Sequence, residues 1–438
     1  MQMKEEKERN ISAWCIYDWA NSAFATTVIA GILPLYFATV IVPSGGWELK
    51  LYGVSMVTNA ATMWAFLSGL TALFVFITMP ALGAVADYCG TKKKFLMVFC
   101  YGGSLFTGLM YFCGSGDVWM TMILFFLANA AFTSANIFYD AFLPEIVSGN
   151  EIDRVSGKGY AYGYLGGGLQ FLICLALIFA HEKIGMSKES AVRISLLFSG
   201  IWWAGFATIT FLGLRESKVN RSPGKDQHTF MLWYHIHQGI SQTLSTVCSI
   251  KRYKDQVLFL IAFMFYNDGI YTVIRMATIF GKDELDLRDE ILLGTLLLVQ
   301  FIGIGGAVLF SRVAGAFGAK KVLIFVLFLW SGILCYAYFI NSPVDFLLLG
   351  TAVGLVLGGS QSLSRSLYAA MVPRESAAEF FGFYSVSEKF SAIWGPFVFG
   401  IIRQVTGSSR LSILSLVGFF ITGIVMLWLV EERRDSTA

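Results

Sequence analysis

The sequence predicts an all-α polytopic membrane protein with twelve transmembrane helices in two pseudo-symmetric six-helix bundles. Three observations carry that prediction. The chain of 438 residues is 56% apolar and only 14% charged, with a mean hydropathy of +0.65, whereas soluble domains average roughly 25% charged residues. Apolar runs long enough to cross a hydrocarbon core about 30 Å thick recur along the chain in two groups of six. The second group repeats features of the first in the same order, as repeat-built membrane proteins do.

The first six runs cover about 12–42, 61–86, 95–113, 118–142, 156–180 and 192–214; the second six cover about 256–280, 291–313, 322–340, 344–371, 379–405 and 411–430. This divides the chain into an N-terminal bundle (1–214), a linker (215–255) and a C-terminal bundle (256–438). In the linker Trp233, Ile236, Ile240, Leu244, Val247 and Ile250 recur at helical spacing beside polar residues, which suits an amphipathic helix on the membrane surface, with a disordered linker as the alternative. The longest polar stretch, from Arg215 to about Thr229, is too short to bury a core, so a soluble enzymatic head is excluded.

Lys and Arg concentrate in alternate connections, such as Lys92, Lys93 and Lys94, then Lys320 and Lys321, which places both termini in the cytoplasm. The opening segment mixes Lys and Glu and leads into a retained first helix, not a cleaved signal. A net charge of +3 is too small to point to nucleic acid. The seven cysteines are scattered without a CxxC pair and read as apolar fillers. The four histidines fall outside the predicted spans, which argues against a histidine proton relay. No cofactor or metal is expected. Trp14, Trp19, Trp202, Trp203 and Trp428 lie near predicted helix ends, where belt anchoring is the expected role.

The halves align at nearly constant offset. Gly83-Ala84-Val85-Ala86-Asp87-Tyr88-Cys89-Gly90-Thr91-Lys92-Lys93 is matched by Ser311-Arg312-Val313-Ala314-Gly315-Ala316-Phe317-Gly318-Ala319-Lys320-Lys321, and Tyr139-Asp140 through Glu145 by Tyr368-Ala369 through Arg374. Asp87 is suited to a neighbouring helix N-terminus, where its charge meets the helix dipole. Gly315 replaces it in the second copy, so that latch should be weaker.

The Gly-x-x-x-Asp-x-x-Gly-x-Lys-Lys loop resembles the cytoplasmic loop motif of the major facilitator superfamily. Tyr17-Asp18-Trp19-Ala20-Asn21-Ser22-Ala23-Phe24, Tyr266-Asn267-Asp268-Gly269, Gly359-Ser360-Gln361-Ser362-Leu363-Ser364-Arg365-Ser366, Phe380-Phe381-Gly382 and Gly395-Pro396 together resemble its vacuole (autophagy-related) amino-acid effluxer-like branch. That resemblance implies a central cavity between two six-helix halves and transport of a small zwitterionic solute such as a neutral amino acid. The chain departs from the branch at Asp140, where an amide is expected, and at Glu388, where a small residue is.

The ionisable and amide side chains inside spans are the candidate substrate-binding or coupling residues: Asp18, Asn21, Asn136, Asn267, Asp268, Gln361 and Arg365. Asp18 lies roughly 9 Å into the first span, where the alternative is snorkelling to the interface. Asp268 lies roughly 18 Å into the seventh, near mid-bilayer, where a carboxylate must be protonated or paired. The alternative there is a hydrogen bond to backbone made irregular by Gly269. Arg365, one turn from Gln361, suits a substrate carboxylate bidentately; it equally suits a permanent pair with Asp140 or Glu388. Asp87, Asp140, Glu388 and Lys389 are the candidate gate residues. Asn129 and Asn136 line one face of the fourth helix, either along a cavity or in hydrogen bonds between helices. Glycines at every fourth position (Gly159, Gly163, Gly167; Gly350, Gly354, Gly358) make smooth packing faces.

The expected function is secondary active transport of a small zwitterionic solute by alternating access, coupled to protons or to another gradient, as a monomer in a prokaryotic plasma membrane in preference to a vacuolar one. The alternatives are an antiporter or flippase for amphipathic compounds, or a receptor without flux.

Overall fold

The computed structural model describes residues 2–43, 46–51, 54–58, 60–149, 151–216, 243, 246, 250–391 and 394–431. The linker helix expected over 233–250 lies almost entirely outside the described residues.

The helices follow in order: α1 (Lys4–Ile41), α2 (Ala60–Cys89), α3 (Lys92–Leu109), α4 (Val118–Ala141), α5 (Glu151–Phe179), α6 (Lys188–Gly213), α7 (Lys254–Leu285), α8 (Asp289–Phe317), α9 (Ala319–Phe339), α10 (Pro343–Met371), α11 (Ala377–Phe390), α12 (Trp394–Thr406) and α13 (Ser409–Trp428). Among the described residues, 11 helices are long and apolar enough to cross a membrane. The chain is an integral multi-pass membrane protein. The run expected at 379–405 is carried by two shorter helices, α11 and α12, neither of which reaches that length. Between α1 and α2 the chain also forms an antiparallel hairpin, β1 (Trp47–Leu51) with β2 (Val54–Thr58), that the apolar pattern does not suggest.

Local chemistry explains the boundaries. Gly90 supplies the left-handed φ of +61° that turns α2 into α3. Ser342 and Asp345 form a capping box at the start of α10, with Pro343 in the first turn. Leu212, Val405 and Phe339 are 84%, 80% and 70% exposed on helix surfaces, as a hydrocarbon solvent permits.

The chain groups into two compact units. The first comprises Met1–Ile77, Lys93–Tyr139 and Gly163–Leu214; the second comprises Thr78–Lys92, Asp140–Tyr162 and Arg215–Ala438. In the first, Gly163, Gly166 and Gly167 of α5 let α1 approach so closely that a Cβ would meet Asp18, Trp19, Ser22 or Thr26. Phe24, Phe132 and Trp203 form an aromatic core there. The belt role expected for the tryptophans needs correcting: Trp14 and Trp203 are wholly buried, whereas Trp428 is exposed. Trp14 tolerates burial because its indole N–H donates to the Tyr139 carbonyl at 2.9 Å and its ring stacks on Tyr139.

In the second unit, α10 lies on α8 through its glycine face. A Cβ at Gly358 would run into the Gly303 carbonyl, and one at Gly354 into Val299 and Ile302. Small residues at that spacing allow the backbone contact which drives helix association where water gives no hydrophobic push.

Candidate functional site

Within the first unit, α1 presents Trp14, Asp18 and Asn21 to α4 along one helical face. The Tyr139 hydroxyl donates to Asp18 Oδ2 at 2.8 Å, and Asn21 Nδ2 donates to Asn136 Oδ1 at 2.6 Å. Asp18 is buried, not extended to an interface. Asn136 takes an interhelical hydrogen bond, one of the two roles that the sequence leaves open for it. Asn129 Oδ1 and Thr133 Oγ1, one turn apart on α4, are buried without a hydrogen-bond partner among the described residues.

The second unit holds the remaining candidates. Asp87 sits at the N-terminus of α11, where Oδ1 accepts from Ala378 N at 3.2 Å and Oδ2 from Glu379 N at 2.9 Å. A carboxylate there satisfies two of the helix's orphan donors and meets its positive end. Gly83, one turn earlier, has no room for a side chain against the Ala378 carbonyl. Lys92 pairs with Asp87 at 2.7 Å and with Glu145, so one buried ammonium joins the ends of α2, α3 and the turn after α4. The second copy of the loop lacks the carboxylate, and Lys320 instead donates to the carbonyls of Trp428 and Val430 at the end of α13.

Arg365 is the most heavily engaged charge among the candidates. Its Nε donates to Ser156 Oγ at 3.1 Å, Nη2 to the Ser156 carbonyl at 3.0 Å and Nη1 to Asp140 Oδ1 at 3.2 Å. The guanidinium also lies over the Tyr160 ring, 4.0 Å from its centroid. Asp140 thus pairs with Arg365; among the described residues no ion pair joins it to Lys389, which is half-buried. Gln361 is half-buried one turn along α10.

Three polar residues of α7 meet the interrupted α11 and α12. Asn267 Nδ2 donates to Ser391 Oγ at 2.6 Å, Gly395 N donates to Asp268 Oδ1 at 2.8 Å, and the Tyr271 hydroxyl donates to Glu388 Oε1 at 2.6 Å. Asp268 therefore caps the start of α12 from a neighbouring helix. The irregular backbone it serves is in the eleventh span and not at Gly269, which packs against Phe420.

Sequence reasoning selects the charged ends of these contacts and misses Ser156, Tyr160, Tyr271 and Ser391. Tyr271 carries a usable signal, since it lies three residues from Asp268 and so on the same helical face. Ser156 carries none, because a lone Ser early in a helix is ordinary. Arg275, four residues beyond Tyr271, reads in the sequence only as a charge inside a span.

The family model described as "Vacuole effluxer Atg22 like" matches residues 6–438. An uncharacterized MFS-type transporter, YxiO, of Bacillus subtilis is 33% identical, the match covering 100% of this chain and 97% of that protein. Autophagy-related protein 22 of Yarrowia lipolytica is 24% identical over 88% of this chain and 78% of its own length. In fold, the chain is similar to the major facilitator superfamily transporter FucP in its outward conformation, with a TM-score of 0.68 at 11% identity, covering 97% of this chain and 99% of that one. It is also similar to the human organic anion transporter MFSD10, with a TM-score of 0.69 at 12% identity, covering 96% and 99%. The chain belongs to the Atg22-like family of the major facilitator superfamily.

Proposed function

We propose that this protein is a secondary active transporter that moves a small zwitterionic solute, an amino acid, by alternating access between an N-terminal bundle (1–214) and a C-terminal bundle (256–438). The observation that carries the reading is the Arg365 cluster. A guanidinium deep in an apolar span is expensive, and here it is held by a carboxylate, a hydroxyl, a carbonyl and an aromatic ring from two other segments of the chain. Such a set of contacts can be made and broken as a unit, which is what a gate requires. With every face of Arg365 engaged, gate closure describes it better than capture of a substrate carboxylate.

Asp87 at the α11 N-terminus forms the companion latch, and Asp268 is the coupling carboxylate, since a proton on it would weaken its cap of α12. The charge pattern supports a cytoplasmic position for both termini and for the Arg365 cluster, and the Bacillus subtilis relative supports a prokaryotic plasma membrane. The amino-acid assignment is supported by the Atg22-like family match.

A thermal-shift screen of purified protein against amino acids, nucleosides, sugars and short peptides tests this reading. A ligand at a hundred times its Kd stabilises the state it binds by about 2.7 kcal/mol. Amino acids should raise the melting temperature; stabilisation by sugars or nucleosides alone would overturn the substrate class.

A further inference from the structure

Arg275 is a charge in the second unit that takes no part in the hydrogen bonds and ion pairs described above, although its charge acts on Asp268 and Tyr271. It lies inside the candidate span Lys254–Ala277 and is exposed, and among the described residues it forms no ion pair or hydrogen bond. On α7, Asp268, Tyr271 and Arg275 share one face at i, i+3 and i+7. The opposite face is occupied by α13, since Gly269 packs on Phe420 and Gly423 on Tyr266. The face that carries Arg275 is therefore the one turned toward α11 and α12, where Tyr271 holds Glu388.

Glu388 is half-buried. Its Oε1 accepts from Tyr271, while Oε2 has no hydrogen-bond partner among the described residues. Arg275 lies one turn, roughly 6 Å along the axis, from the tyrosine that anchors Glu388. Among the described residues no ion pair closes the gap between them. An arginine one turn from the tyrosine that anchors Glu388, and not ion-paired with that carboxylate among the described residues, is set for a ligand that carries both charges.

Resting on the transporter reading above, we infer that Arg275 and Glu388 form the head-group site for a zwitterionic α-amino acid. Arg275 takes the substrate carboxylate through its planar fork, and Glu388, oriented by Tyr271, takes the ammonium through Oε2. Asp268 Oδ1 is taken by Gly395, which leaves Glu388 Oε2 as the acceptor for the ammonium. The assignment gives Glu388 a purpose that the gate does not, since the gate carboxylate is Asp140.

The test compares three ligands in wild type, Arg275→Gln and Glu388→Gln: the proteinogenic amino acid that binds wild type most tightly, its α-carboxamide, and the α-hydroxy acid in which a hydroxyl replaces the ammonium. Wild type should favour the amino acid over each analogue by about ten- to a hundredfold, the worth of one charge-assisted contact. Arg275→Gln should lose the preference over the carboxamide and keep that over the hydroxy acid, and Glu388→Gln the reverse. Both variants should fold, because Arg275 is exposed and the amide oxygen introduced by Glu388→Gln still accepts from the Tyr271 hydroxyl. Arg275→Lys should recover only part of the preference. Wild-type discrimination retained in both variants would overturn this site while leaving the transporter reading standing. Binding of no amino acid by wild type would overturn both.

Discussion

Replacing Arg365 by Gln removes the donors to Asp140, Ser156 Oγ and the Ser156 carbonyl in one step, together with the stack on Tyr160. Taking one partner out of a buried ion pair costs about 3–5 kcal/mol. The Asp140 side chain keeps 16% exposure, so water recovers part of the loss, and about 3 kcal/mol is the appropriate figure. At about 1.4 kcal/mol per tenfold, that favours the gate-open state by about a hundredfold. The assay is maleimide labelling from the cytoplasmic side of an otherwise cysteine-free protein carrying Ala369→Cys, one turn from Arg365 on α10 and 2% exposed. Labelling should be slow with Arg365 present and should accelerate by about that factor in Arg365→Gln. Asp140→Asn should give a similar acceleration, and the double variant little more than either single one, because the two residues act through one interaction. An unchanged labelling rate in both single variants would refute the gate.

Asp268→Asn should preserve the cap, since an amide oxygen still accepts from Gly395 N–H, while removing the titratable proton. Counterflow without a gradient should survive and pH-gradient-driven accumulation should vanish; accumulation that still follows the gradient would exclude Asp268 as the coupling group. Asp87→Asn leaves one acceptor for two amides and frees Lys92 toward Glu145, at a cost of about 1–2 kcal/mol. The unfolding midpoint should fall, and an unchanged midpoint would count against the latch. Gly358→Leu should abolish monodisperse protein by colliding with α8, whereas Gly305→Leu, with open space around it, should not; equal behaviour of the two on size-exclusion chromatography would contradict the packing.

Composition, the run of apolar segments and the loop around Asp87 make the fold class legible, because a bilayer restricts spanning structure to few options. The place of Asp87 at a helix N-terminus is also readable, since charge, glycine spacing and dipole agree. The interruption between α11 and α12 is not: Gly395 and Pro396 announce irregular backbone, but nothing local says that Asp268, far away in sequence, supplies its cap. The engagement of Arg365 is half readable. Asp140 stands out as a partner from charge alone, while Ser156 and Tyr160 are residue types too ordinary to single out. The hairpin after α1 escapes a sequence reading because Trp47–Leu51 and Val54–Thr58 are short and mix charged residues in the first, and hydroxyl residues in the second, with apolar ones.

The most direct measurement is counterflow in proteoliposomes of purified wild-type protein preloaded with unlabelled amino acid. Transient uptake of the labelled amino acid above empty-vesicle controls, abolished by locking Asp140 and Arg365 together as a Cys–Cys cross-link and restored on its reduction, is the predicted result. Uptake that persists through the cross-link, or none with any amino acid, would contradict alternating access of an amino acid through this gate.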